Sequence, residues 1–309
     1  MPADIDAIAA AIAVAHSDPC RRVPASRFID LTRDEAMAIQ GEVMKLLGGS
    51  APVGKVAMPP DGIATGAPIP AGIVIDDGGT IELGERDLAG LEIEVAVRLG
   101  ADLTPEIAKA GRDAVLQTVE HFVLGIELIG SRIDDRTEAG PFGPLADNMI
   151  TGGYVIGTQI LAHEPKVDGM AITLSCDGAT SQRETAKYPF GDAISPIVAF
   201  AGMAFDHFGG FRKGMAITTG SLSPLLIVPR KGRIEIRLGD FAPLSFTLRW
   251  SDHERSSLRP SRTCAARHLG RRDAGGAPGW QYRLERHARH RRAALRIGRS
   301  RRLFQRHGM

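Results

Sequence analysis

The sequence predicts an α+β protein: a helical N-terminal portion packed on a mixed, barrel-like β core. Three observations predict it. Before residue 48 the apolar residues recur every three to four positions, the spacing of helices. Beyond residue 90 most apolar runs alternate with period two, the spacing of half-buried strands. Gly- and Pro-rich turns separate those runs, and no repeat of solenoid length links them. With 309 residues, 43% hydrophobic and 24% charged, the chain has core enough to need no disulfide or metal staple.

The elements follow in order. "IDAIAAAIAVAHSD" reads as a short amphipathic helix, with Asp4 and Asp6 standing where a signal peptide carries basic residues. In "LTRDEAMAIQGEVMKLLGG", Thr32 and Glu35 form a capping box and Gly48-Gly49 supplies the stop. Ala36, Ile39, Val43, Leu46 and Leu47 give that helix its apolar stripe. "VGKVAM" is a short strand carrying Lys55, and the turn-rich stretch from Pro59 to Gly84 has a hairpin-like turn at residues 76–79. "TPEIAKAGRDAVLQTVEHF" opens a helix with Thr104 as N-cap and Pro105 in its first position. A strand over Phe122 to Arg132 follows, then a Gly- and Pro-rich loop and "LADNMITGGYVIG". "AITLSCDGAT" and "IEIRLGDFAPLSFTLRW" read as antiparallel strands, with the helix "SPIVAFAGMAFDHF" between them.

Charge divides the chain. Residues 251–309 hold 16 Arg, no Lys and four acids, whereas the first 250 residues hold 22 basic and 32 acidic side chains. The expected organisation is therefore a 1–250 catalytic domain, mainly helical up to residue 60, followed by a tail with little stable structure. Arg without Lys, among Ala, Gly, Ser and His, is what a GC-rich gene yields when its end is read out of frame. A native basic arm that grips nucleic-acid phosphates is the rival reading. The cysteines, Cys20, Cys176 and Cys264, form no pair pattern and suit a cytoplasmic setting. No segment approaches the ~18 apolar residues of a membrane span.

The chemistry concentrates in "LEIEVAVRLG". Alternation sends Glu92 and Glu94 to one strand face, roughly 6–7 Å apart at the backbone. Two carboxylates so close either point into water or share a cation. Glu127, in the apolar run "LGIELIG", is a third strand carboxylate and needs a partner if buried. Three carboxylates suit a hard divalent ion, Mg²⁺, Mn²⁺ or Ca²⁺. A solvated acidic sheet face is the plain alternative.

In order and spacing, "LEIEVAVRLGADL", "FVLGIELIGSRIDD" and "LADNMITGGYVIG" resemble the hydratase/decarboxylase branch of the fumarylacetoacetate hydrolase superfamily. The resemblance continues to "RKGMAITTGSLSPLLIVPRKGRIEIRLGDFAPLSFTL". It implies that Glu92, Glu94 and Glu127 bind Mg²⁺ or Mn²⁺, and that Lys55 lines the substrate pocket with a catalytic role. It implies that Asp147 and Asn148, in the "ADN" motif, stand beside the site as catalytic and substrate-binding residues. The turn at Thr218 to Gly220 would hold the substrate carboxylate through Thr219 and Gly220. The implied reaction adds water to a 2-hydroxy-2,4-dienoate or 2-oxo-4-enoate in aromatic-compound degradation, by a homo-oligomer. Decarboxylation of the 4-oxalocrotonate type, acylpyruvate-type C–C hydrolysis and a non-catalytic 2-oxo acid binder are the alternatives.

The chain departs from that pattern at three places. Met149-Ile150 follows "ADN" where a small polar residue is usual, "DGIATGAPIPA" carries no acid after Asp61, and Asp192-Ala193 replaces a His-Pro pair. His121 near the Glu127 strand is a conceivable general base, but more simply a helix-end histidine.

Overall fold

The computed structural model describes residues 3–18, 21–58, 62–83, 87–203, 210–227 and 231–250, all within the first of the chain's two units, Met1–Ser256. The Arg-rich tail, and with it the boundary after residue 250, lies outside the described residues, as do Cys20 and residues 204–208 of the expected later helix. No helix among the described residues is long and apolar enough to cross a membrane.

Two helices form the N-terminal portion. In α1 (Ile5–Ser17) the Asp4 side chain caps the first turn by accepting from the Ala7 amide at 3.0 Å. In α2 (Arg33–Leu46) the capping box is complete: Thr32 Oγ1 accepts from the Glu35 amide, and Glu35 Oε2 from the Thr32 amide. The two helices bury Ile8, Ile12, Ala36, Ile39 and Val43 with Phe28, Ile133 and Leu145 in a core of their own. Leu46, expected on the buried stripe, is 58% exposed because the helix ends there; Leu47 packs instead.

Seven strands, numbered in chain order, make one sheet. Its order is β2 (Thr65–Ile69), β1 (Val53–Ala57), β10 (Ala216–Ser221), β5 (Asp87–Leu99), β6 (Val119–Ser131), β7 (Thr151–Ile156), β3 (Val74–Asp76). Five more make a second sheet, in the order β4 (Thr80–Leu83), β12 (Leu244–Trp250), β11 (Gly232–Leu238), β8 (Ala171–Cys176), β9 (Ala179–Thr185). Pairing is parallel at β1/β10, β3/β7 and β4/β12 and antiparallel elsewhere, so both sheets are mixed, as expected.

Two local expectations are corrected. Residues 76–79 do not close a hairpin: β3 ends in the first sheet and β4 begins in the second. The crossing is held by the Gly78 amide, which donates to the Ser245 carbonyl at 2.7 Å. The helix opened by Thr104 breaks into α3 (Pro105–Lys109) and α4 (Arg112–Leu116), because Gly111 between them sits at φ 101°. The next strand accordingly starts at Val119. A later helix, α6 (Ser195–Ala201), follows the single-turn α5 (Gly143–Ala146).

Alternation gives the first sheet two unlike faces. Leu91, Ile93, Val95 and Val97 of β5, with Leu124, Ile126 and Leu128 of β6, share the main core with Ile172, Leu174, Ile234, Ile236 and Phe246 of the second sheet. The other face carries a smaller apolar cluster, Val53, Ile69, Ala96, Val123, Tyr154, Ile156 and Ala216, and beside it the acidic residues. This face is concave. Asn148, just before β7 near one edge, donates from Nδ2 to the Pro68 carbonyl of β2 at the other edge, at 3.0 Å. Curling of this kind makes the sheet barrel-like and turns its polar residues inward.

Candidate metal centre

Strand register assembles the three carboxylates. Glu92 of β5 lies directly opposite Glu127 of β6, and Glu94 opposite Gly125. Directly paired residues in an antiparallel ladder share a face, so all three side chains project into the curl. Each offers an oxygen within 4.8 Å of the others. None is solvated: exposures are 7% for Glu92, 1% for Glu94 and 0% for Glu127. The acidic, water-facing sheet is thereby excluded.

Lys55 of β1 reaches across two intervening strands and places Nζ 2.5 Å from Glu127 Oε1. Its other contact is the Met149 carbonyl at 3.3 Å. Burial works to lower the lysine pKa, but the charges of Glu127, Glu94 and Glu92 outweigh it and hold the ammonium above its ordinary range. Glu94 is driven well above the usual carboxylate range by burial and by the charges of Glu127 and Glu92, only partly offset by Lys55 and the Thr218 hydroxyl. Three buried carboxylates crowd round the one ammonium of Lys55, so acidic groups predominate in the cavity.

A divalent cation is the complement of that acidity, and the donor set fits one. The ligands are hard carboxylate oxygens, and buried Glu127 Oε2 has no hydrogen-bond partner while Oε1 is occupied by Lys55 and Thr151. Thr151 Oγ1 lies 2.7 Å from Glu127 Oε1, and Thr218 Oγ1 donates to Glu94 Oε2. Such hydroxyls fix the ligands' orientation.

Asp147 is fully buried, and its oxygens are spent on Arg132 and Ser131. Oδ1 receives Arg132 Nε at 2.5 Å, and Oδ2 receives the Arg132 amide and Ser131 Oγ, each at 2.8 Å. Arg132, itself 1% exposed, also donates to the backbone carbonyls of Asp147 and Thr151. Asn148, Met149 and Ile150 follow in three successive left-handed conformations, φ 49°, 51° and 55°. Such backbone is strained for Met and more so for β-branched Ile, and strain of this kind concentrates at functional sites. Buried Asn148 Oδ1 has no hydrogen-bond partner.

The remaining candidates separate. Thr218, not Thr219, faces the carboxylates; Thr219 Oγ1 donates to the Val95 carbonyl at 2.9 Å, since adjacent strand residues point to opposite faces. The segment is not a free turn but part of β10, with a register shift between Thr218 and Ser221. Gly220 adopts φ 100° there, and a β-carbon added to it would run into Phe190 and Pro189. His121 lies six residues before Glu127 on the same strand, roughly 20 Å away along it, and is no base for this site. Arg132, Thr151, Tyr154 and Thr218 join the site through register and curl, which no local motif announces.

No family model matches the chain. Among curated proteins it is 25% identical over 175 residues to a 4-oxalocrotonate decarboxylase of a Pseudomonas species, covering 56% of this chain and 66% of that protein. It is 23% identical over 176 residues to 2-keto-4-pentenoate hydratase 1 of Dechloromonas aromatica, covering 57% and 66%. The 2-keto-4-pentenoate hydratase of Paraburkholderia xenovorans is 29% identical over 153 residues, covering 49% and 56%. The chain thus spans no more than 66% of the length of these relatives. Among solved structures, the 4-oxalocrotonate decarboxylase of Pseudomonas putida G7, complexed with magnesium and adipate, superimposes with a TM-score of 0.66 at 16% identity, over 80% of this chain and 97% of that one. In fold the chain matches this decarboxylase, and in sequence it is similar to both a decarboxylase and hydratases, the kinds of protein its own motifs resemble.

Proposed function

We propose that the protein is a metal-dependent lyase that hydrates a 2-hydroxy-2,4-dienoate, through its 2-oxo-enoate form, to a 4-hydroxy-2-oxo acid. The observation that carries the reading is the buried triad Glu92, Glu94 and Glu127, with Lys55 paired to Glu127. Mg²⁺ or Mn²⁺ held by those carboxylates would supply a Lewis acid for the carboxylate and 2-oxygen of a 2-oxo acid.

The side chains do the rest. Lys55 stays protonated beside Glu127, so its Nζ can hold the substrate carboxylate or pass a proton. For 2-hydroxypenta-2,4-dienoate, a proton added at C5 and the hydroxyl proton lost give the conjugated 2-oxo-3-enoate. Water then adds its oxygen to C4 and a proton to C3. Met149 and Ile150 beside the site favour a more apolar substrate wall than a polar pair would. Asp147 acts through Arg132 as a positioning residue. A place in the degradation of aromatic ring-cleavage products belongs to the same proposal.

Kinship with the 4-oxalocrotonate decarboxylases favours decarboxylation as the second reading. The test follows dienol ultraviolet absorbance with the full-length protein in Mg²⁺, Mn²⁺ or EDTA. Metal-dependent loss with formation of 4-hydroxy-2-oxopentanoate is the expected result. Carbon dioxide release from 4-oxalocrotonate, with the dienoate untouched, would move the assignment to the decarboxylase. Full turnover in EDTA would overturn both.

A further inference from the structure

Three buried side-chain oxygens among the described residues lack a hydrogen-bond partner: Glu127 Oε2, Asn148 Oδ1 and Tyr154 Oη. All three belong to the region around the carboxylates, and a buried polar group left unpaired calls for an absent partner. The proposed ion accounts for the first. The surroundings of Tyr154 are built to hold it.

Tyr154 of β7 lies directly opposite Glu127 and is fully buried, so its ring projects from the same concave face. The ring leans over Gly125, whose place opposite Glu94 is set by register. A β-carbon added at Gly125 would overlap the phenol oxygen and the ring carbons behind it. The hydroxyl therefore occupies the notch that a missing side chain leaves. Directly paired residues have β-carbons about 4.5–5.5 Å apart, so the hydroxyl stands immediately beside Glu94.

The neighbouring acceptors are mostly taken. Glu94 Oε2 receives the Thr218 hydroxyl, and Glu127 Oε1 receives Lys55 and Thr151. Burial, then the charge of Glu94, push the phenol above its ordinary range, against a weak hydrogen-bond approach of the Thr218 hydroxyl, whose proton is committed to Glu94. It is a donor at any physiological pH.

Resting on the function proposed above, we propose that Tyr154 is a ligand-positioning residue. Its hydroxyl, held in the Gly125 notch, donates to an anionic oxygen of the 2-oxo acid that binds at the carboxylate centre. A phenol fixed in this way distinguishes an oxygen-bearing ligand from an apolar one of the same shape, because without an acceptor the hydroxyl stays unpaired.

The test compares wild type with Tyr154→Phe, full chain, by calorimetric titration with Mg²⁺ alone and then with oxalate in saturating Mg²⁺. Thermal unfolding serves as the check on folding. Phenylalanine keeps the ring and removes only a hydroxyl with no well-formed hydrogen bond, so the unfolding midpoint should hold or rise. Mg²⁺ affinity should stay within about twofold, while oxalate affinity should fall roughly tenfold, the size of one hydrogen bond to a charged acceptor. Equal oxalate affinity in the two proteins would overturn the inference and leave the metal reading standing. So would an equal loss in Mg²⁺ affinity before oxalate is added, since the hydroxyl would then act on Glu94. Wild-type protein that takes up no Mg²⁺ would overturn both readings, and the first titration alone identifies that case.

Discussion

Replacing Lys55 by Met tests the charge balance of the site. Lys55 Nζ and Glu127 Oε1 are 2.5 Å apart, with side chains only 10% and 0% exposed, so solvent screens the pair little. Methionine keeps the apolar length of the side chain and removes the ammonium. Glu127 retains Thr151 as a hydrogen-bond partner, but the three carboxylates then lose the ammonium of Lys55. Losing one partner of a buried pair costs about 3–5 kcal/mol. For a body of this size each kcal/mol moves the unfolding midpoint about 2–4 °C, so Lys55→Met should melt roughly 6–20 °C below wild type in EDTA.

Saturating Mg²⁺ should then close much of that gap, because the dication supplies the missing positive charge. It should also stabilise the variant more than it stabilises wild type. Melting curves of both proteins, with and without Mg²⁺, read this directly. Equal midpoints in EDTA would refute the claim that Lys55 compensates the triad. A gap that Mg²⁺ leaves unchanged would refute the claim that a cation and the lysine answer the same charge deficit. Dienoate consumption at saturating metal should be lost in the variant even where the fold is restored.

Asp147→Asn should act on the fold more than on the chemistry. It leaves buried Arg132 without its counter-charge at about 3–5 kcal/mol, seen as a lower melting midpoint, while kcat per folded molecule stays within a few-fold. Gly125→Ala should lower stability by about 1–3 kcal/mol in denaturant unfolding, since the added carbon and Tyr154 cannot both keep their places. The Asp192 carboxyl is held below its ordinary range. Burial opposes this, but its bonds to Ser195, the Ile194 amide and Arg112 prevail. Its stabilising share is fully present above the unfolded value of 3.8 and is lost as pH falls through the lower folded value. Asp192→Asn should therefore flatten the stability curve below about pH 4, measured by urea unfolding across the acid range.

What the sequence discloses is local, and what it withholds is produced by folding. The capping box at Thr32 and Glu35 is a three-residue pattern and forms as read. Alternation in "LEIEVAVRLG" puts Glu92 and Glu94 on one face without any tertiary information. The nearness of Glu127 needs a β5–β6 register that no short pattern fixes, and the Lys55 contact needs a sheet curled across two further strands. Asp77-Gly78 reads as a hairpin because local turn chemistry is the same whether the chain returns to its own sheet or crosses to another. Thr219 was an attractive ligand contact by motif, yet a one-residue offset in a strand reverses the face, and Thr218 takes the site. Tyr154 reads as one more apolar-run aromatic until Gly125 is seen beneath it.

The left-handed run at Asn148, Met149 and Ile150 ties these pieces together. Each non-glycine residue in that conformation costs about 1–2 kcal/mol, so three in succession need firm anchoring. The anchors surround the turn. Asp147 grips Arg132 before it, Arg132 holds the Thr151 carbonyl after it, and Asn148 Nδ2 pins its side to Pro68. In return the turn presents the Met149 carbonyl to Lys55 and the Asn148 carbonyl to the Thr151 hydroxyl, at 3.3 and 3.2 Å. Lys55 and Thr151 are the two groups that engage Glu127 Oε1, which leaves Oε2 unpaired. A carboxylate held by one oxygen presents the other in a fixed direction, which is what a ligand for a metal ion requires. Under the proposed function, Asp147, two steps removed along this chain of contacts, would serve by holding geometry, and moving protons would fall to groups that face the curl.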